Sequence, residues 1–217
     1  MQAPPFPVHH EIEGWALLWA LLELNPVPEN DLAGLSSAAV ANARATFQPD
    51  TLSAHPTVGG LRTLFRAAGC DPTRYRPASE ALLRRVLKGE DLPAIHPLVD
   101  LNNCLSITLA VPCCVAVEGS FAGPVTLRAG RPGESYESLK GPFNLEGKPI
   151  LVDPEGPFDT PITGSQRVKV QGDSRRAWLT AYLPAAVLRP DDARQALEDL
   201  LARVPVVRIE TAGASVS

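Results

Sequence analysis

The stretch from Pro97 to Glu118, P-L-V-D-L-N-N-C-L-S-I-T-L-A-V-P-C-C-V-A-V-E, carries two elements in succession. Pro97 suits a first helical position, where a missing N–H costs nothing and φ is already helical. Leu98, Leu101, Leu105 and Leu109 recur at helical spacing and can face a core. Asp100, Asn103 and Ser106 repeat every three residues on another face, with Asn102 beside them. Pro112 stops the helix. Cys113 to Val117 is then short, apolar and β-prone, as a buried strand would be. A helix with a polar seam that runs straight into a buried strand suits one wall of a small-molecule cleft. The same seam also fits a helix face turned to water.

Outward from this stretch, helices dominate the first half. Leu32 to Phe47 is alanine-rich and helical, with Asp31 as a possible cap. A second helix begins at Thr57 or Gly59, runs to Ala68 and is closed by Gly69. A third starts near Pro77 and ends before Gly89, with Ala78, Leu82, Leu83, Val86 and Leu87 on its apolar side and a Glu80–Arg84 pair. Residues 14–24, G-W-A-L-L-W-A-L-L-E-L, fit a buried strand or a helix equally well.

After Glu118 the texture changes. Eight glycines and seven prolines between Gly119 and Ser165 break any long helix and leave short strands joined by turns. The expected strands are Val125–Ala129, Ile150–Asp153, Arg167–Gln171 and Ala177–Leu183, and the last places Trp178, Thr180 and Tyr182 on one face. Asp191–Arg203 reads as an amphipathic helix and Val206–Ile209 as a final strand. Helices mostly precede strands instead of alternating with them, which makes the class α+β.

At 217 residues the chain suits one domain with a substantial core. No run of about 18 uncharged apolar residues is present, so no membrane span is expected. The first apolar run follows His9, His10, Glu11 and Glu13 where a secretory signal would carry positive charge, so the expected location is cytoplasmic. Cys70, Cys104, Cys113 and Cys114 form no C-x-x-C pair, and they read as free thiols in a reducing compartment rather than as zinc ligands with His96. No phosphate-binding glycine loop, dinucleotide fingerprint or nucleophile elbow occurs. Nothing demands a metal or a cofactor.

The net charge of −4 argues against indiscriminate nucleic-acid binding, but the charge is unevenly placed. Residues 61–88 carry Arg62, Arg66, Arg74, Arg76, Arg84, Arg85 and Lys88 against only Asp71 and Glu80. A local cationic block on an acidic chain suggests one anionic contact surface; two solvated helix faces would look the same.

R-Y-R-P-A-S-E-A-L-L-R-R-V-L-K-G (74–89) and L-P-A-I-H-P-L-V-D-L-N-N-C-L-S (92–106) closely resemble the B3/B4 domain of the phenylalanyl-tRNA synthetase beta subunit. They resemble still more closely the stand-alone proteins built from that domain. The likeness continues through G-P-V-T-L-R-A-G-R-P-G-E-S-Y-E-S-L (123–139) and T-G-S-Q-R-V-K-V (163–170). It covers residues 57–183, leaving 1–56 as a divergent N-terminal part and 184–217 as a C-terminal helix and strand of the same single domain. The resemblance implies a three-layer α+β fold with mixed sheets flanked by helices, and it favours a strand for residues 14–24.

In the synthetase this domain hydrolyses the ester of tyrosine wrongly attached to phenylalanine tRNA. By position, Asn103 matches a pocket asparagine, and Asn102 lies where a threonine neighbours it. Cys114 stands where the synthetase has a pocket histidine. Thr160 and Pro161 fall on a pocket wall, Thr163, Gly164 and Ser165 on the glycine turn after it, and Thr180 where a glutamate reads the tyrosine hydroxyl.

The resemblance therefore implies hydrolysis in trans of a mischarged aminoacyl-tRNA ester. The 61–88 cations would hold the acceptor end of the tRNA, and a cleft between Asn103 and Thr180 would hold the amino-acid moiety. Asn103 and backbone N–H groups near Gly164 are the expected oxyanion donors, and no catalytic side chain is assigned. With the histidine and glutamate replaced, a non-catalytic RNA- or amino-acid-binding module is the alternative. Loss of the glutamate also predicts a pocket that avoids a phenolic hydroxyl, because hydrogen bonds to charged groups are worth about 1.5–3 kcal/mol.

Overall fold

The structure is a computed structural model that describes residues 2–25 and 32–217. Its helices are α1 (Ala33–Thr46), α2 (Pro56–Ala67), α3 (Ala78–Leu87), α4 (Pro97–Leu109) and α5 (Pro190–Leu201). Its strands are β1 (Val8–His10), β2 (Trp15–Leu24), β3 (Cys113–Val117), β4 (Val125–Ala129), β5 (Ser135–Ser138), β6 (Gly141–Asn144), β7 (Pro149–Asp153), β8 (Gly156–Asp159), β9 (Arg176–Pro184) and β10 (Val207–Val216). They form one sheet in the order β10-β2-β9-β3, a second in the order β1-β4-β7-β8 and a β5-β6 hairpin.

The stretch 14–24 is a strand because both of its faces are covered. Register sets Trp15, Leu17, Trp19 and Leu21 of β2 on one face with Trp178, Thr180 and Tyr182 of β9, and Cys114 of β3 joins them opposite Thr180. That face meets the second sheet. Phe6 lies edge-on to Trp19 at 5.1 Å and to Trp178 at 5.2 Å, while Phe121 stacks on Phe158 of β8 at 4.7 Å. The opposite face, with Leu18, Leu22, Leu179 and Leu183, lies under α4 and α5 and is fully buried. Helices, first sheet and second sheet thus make three layers, an α+β arrangement. A strand covered on both sides needs no apolar–polar alternation, which is why the run reads equally well as a helix.

Several expectations are adjusted. Arg167–Gln171 is not a strand: Ser165 Oγ accepts the Arg167 N–H at 3.0 Å and a short 3₁₀ turn follows over Gln166–Val168. The Arg167 guanidinium is held by the Asp153 carboxylate and by the Ser120 carbonyl, which fixes this segment away from a ladder. The final strand is far longer than Val206–Ile209, because β2 offers it a ten-residue partner. β1, β5, β6 and β8 are too short to show in the sequence. Asp31, the expected cap of α1, lies outside the described residues.

Helix α4 ends before Pro112. Ala110 takes a left-handed conformation, φ 56°, and its carbonyl accepts the Ser79 hydroxyl of α3 at 3.2 Å. A left-handed residue is the usual device for ending a helix, and here it turns the chain directly into β3. Among the described residues no helix is long and apolar enough to cross a membrane.

Candidate functional site

The polar seam of α4 divides three ways. Asp100 Oδ1 accepts the Ile95 N–H at 2.9 Å, so it closes the loop before the helix. Ser106 Oγ donates to Val111 O at 2.9 Å and secures the turn into β3. Asn102 is different. It is buried, and its Oδ1 has no hydrogen-bond partner. It lines a cleft of about 190 Å³ at the outer edge of β3. Val99 and Asn102 of α4 form one wall, Cys113 to Val115 the edge, and Asp159 with Thr163 to Ser165 the other side. Ile95 and Leu139, both exposed large apolar residues, stand at its mouth.

Asp159, at the end of β8, is the residue that sequence reasoning missed. It is 3% exposed, its Oδ2 accepts the Tyr182 hydroxyl at 2.7 Å, and its Oδ1 has no partner. Burial pushes its carboxyl up to about 7, against the weaker stabilising hydrogen bond from Tyr182. A carboxyl that titrates near neutrality on a cleft wall is suited to take and return a proton. No local motif surrounds it. Its environment follows from β8 packing across the sandwich from Tyr182 and Cys114.

Cys114 lines the cleft, but its thiol donates to Thr160 O at 3.6 Å. Burial and the Asp159 carboxyl hold it well above the ordinary thiol range, so it stays protonated and is no thiolate nucleophile. The Tyr136 hydroxyl donates to Thr163 O at 2.6 Å and fixes the lip of the cleft. Gly164 lines that lip, its carbonyl accepting the Leu139 N–H at 3.0 Å.

The sequence-derived pocket set is therefore only partly assembled. Asn102, Cys114, Thr163 and Gly164 line the cleft. Thr160 and Pro161 stand behind it: Thr160 Oγ1 accepts the Ile162 N–H, and Pro161 O accepts the Ala78 N–H. Asn103, about 100° further round the helix from Asn102, is not a lining residue. Thr180 is also absent from the lining. It is buried between Trp19 and Cys114 in the sheet, beneath the cleft floor.

The cationic block is also subdivided. Glu80 is fully buried and is paired with Arg62 at 3.0 Å and with Arg84 at 3.0 Å, so these two arginines are structural. Arg66, Arg74, Arg76, Arg85 and Lys88 are exposed. Arg76 lies two residues before Ala78 of the cleft wall, and the exposed Lys169 stands on the rim.

A larger groove of about 380 Å³ runs between α1 and residues 91–97. Two of its polar groups are engaged, Ser36 with Cys104 and Asp100 with the Ile95 N–H.

A helical layer over a β-sandwich, with a cleft where α4 passes into the edge strand, defines the class, and residues 61–200 match the B3/4 domain. The chain belongs to that family. It is 30% identical over 109 residues, 49% of its length and 14% of the relative's, to the phenylalanine–tRNA ligase beta subunit of Bartonella henselae. An N-terminal fragment of the phenylalanyl-tRNA synthetase beta subunit from Pyrococcus horikoshii superposes with a TM-score of 0.46 at 13% identity, over 99% of this chain and 51% of that one. The chain thus spans about half of that solved fragment, and the match covers a small part of the full-length ligase subunit.

Proposed function

We propose that the β3 cleft receives the aminoacyl end of an aminoacyl-tRNA and hydrolyses its ester. The observation that carries this reading is Asp159, a buried carboxyl near neutral pKa on the cleft wall with one oxygen left unpartnered. As the carboxylate it accepts a proton from water attacking the ester carbonyl carbon. It then returns that proton to the departing ribose oxygen. Asn102 supplies an unpartnered oxygen for a ligand donor, and Ile95, Val99, Leu139, Val168 and Val170 supply apolar walls for a side chain. Arg74 and Arg76, leading into the cleft wall, and Lys169 on its rim would meet acceptor-end phosphates.

The test is incubation with a panel of mischarged tRNAs, with the Asp159→Asn protein as control. Release of one amino acid by the wild-type protein alone is expected. Deacylation no faster than the spontaneous rate for every member would overturn the proposal.

The protonated Cys114 thiol, at the position where the synthetase has a histidine, favours a second reading: a binding module without turnover. Stabilisation by free amino acids with no ester turnover would establish that one.

A further inference from the structure

The edge of β3 offers the cleft something no side chain does. Tyr182 N–H donates to Pro112 O, and Glu118 N–H donates to Arg176 O. With Cys114 opposite Thr180 and Ala116 opposite Trp178, the even-numbered residues of this stretch are therefore the hydrogen-bonded partners of β9. The main-chain N–H and C=O groups of Cys113, Val115 and Val117 consequently point away from β9. Among the described residues no strand follows on that side, because β3 is the edge of its sheet.

The three positions are not equivalent. The Val117 carbonyl already accepts the N–H of Ser120 at 3.0 Å, and Val117 is not a lining residue. Cys113 lines the cleft but is only 6% exposed. Val115 lines it and is half-buried. It is the central residue of the strand, with α4 and Asn102 on one side of the sheet and β8 and Asp159 on the other. A group held between those two side chains lies along the outward edge of Val115.

We propose that the outward main-chain N–H of Val115 is the donor that receives the ester carbonyl oxygen and holds the oxyanion of the tetrahedral intermediate. The inference rests on the deacylase reading. Water oxygen bonds to the carbonyl carbon and passes its proton to Asp159, while the carbonyl π electrons move onto the oxygen facing Val115. When the carbonyl re-forms, the bond from carbon to ribose oxygen breaks, and the ribose oxygen takes the proton from Asp159. A donor fixed in a sheet needs no reorganisation as this charge develops, and removing such a donor typically lowers kcat about 10²- to 10³-fold. It also gives the site an oxyanion donor that any residue type at position 115 except proline supplies, and so one that residue identity does not reveal.

The test is Val115→Pro. Proline removes one outward N–H and keeps the β3–β9 ladder, since proline is tolerated at an edge-strand position whose N–H is not paired. Val117→Pro, with the same outward parity but outside the cleft, is the control. The expected result is a loss of roughly 10²- to 10³-fold in kcat for Val115→Pro, with KM within a few-fold and wild-type rates for Val117→Pro. If Val115→Pro does not fold, replacing Val115 by its α-hydroxy analogue exchanges the N–H for oxygen and keeps the side chain; the same loss is expected. Wild-type turnover in a folded protein lacking this N–H overturns the inference and leaves the deacylase reading intact. Absence of turnover in the wild-type protein overturns both.

Discussion

Replacing Asp159 by asparagine probes stability and chemistry together. Burial raises the folded carboxyl from an ordinary value of 3.8 to about 7. Each unit is about 1.4 kcal/mol, so the difference of roughly three units makes ionisation inside the fold cost about 4 kcal/mol. The sign follows from linkage. The stabilising contribution of the protonated group is complete below the unfolded value and is lost as pH rises through about 7. Asparagine cannot ionise, and its Oδ1 can still accept the Tyr182 hydroxyl. Asp159→Asn should therefore gain stability relative to wild type as pH rises from about 4 to 7, approaching about 4 kcal/mol and levelling off above that. Urea denaturation of both proteins at pH 4.5, 5.5, 6.5 and 7.5, followed by tryptophan fluorescence, measures the difference; contributions from the histidines cancel because both proteins share them. On the same samples, ester hydrolysis should rise with pH through about 7 in the wild type and fall roughly 10²- to 10⁴-fold in the variant. A stability difference that is flat with pH, or a variant as active as the wild type, would refute the reasoning.

Arg76→Glu should leave the melting temperature within experimental scatter, weaken tRNA binding and reduce its salt slope by about 1; unchanged affinity would show that this exposed cation only faces solvent. Arg62→Glu sets a second carboxylate against the fully buried Glu80, so the loss should be of the order of 3–5 kcal/mol in denaturation, far more than at Arg76. Cys114→Ala should retain most hydrolysis, because the thiol is protonated and packs on Thr160; complete loss with binding preserved would make it catalytic. Thr180→Glu buries a carboxyl beneath the cleft floor, so thermal denaturation should show a loss of stability without a shift in the ratio of tyrosyl to phenylalanyl ester hydrolysis. A clear shift toward tyrosyl esters in a folded variant would place Thr180 in the cleft after all.

The sequence by itself determined the elements whose signal is local. The leucine spacing of α4, the proline that opens it and the apolar Cys113–Val117 run after it are written in consecutive residues, and each element formed at that place. The family likeness rests on the same contiguous stretches, and it favoured the strand β2, whose doubly covered apolar run periodicity could not resolve. The residues that belong to the cleft were a different matter. Asn102 and Asn103 are neighbours in the chain, and only the rotation of α4 against β3 decides which one reaches the cleft. Arg62 and Arg84 resemble every other cation of their block until Glu80, 18 residues from one and four from the other, is buried between them. Asp159 carries no motif at all; its raised carboxyl exists because a second sheet removes it from water and sets it against Tyr182, 23 residues away. Burial, charge pairing and the outward edge of β3 are properties of elements brought together from distant parts of the chain, and only the tertiary structure could decide them.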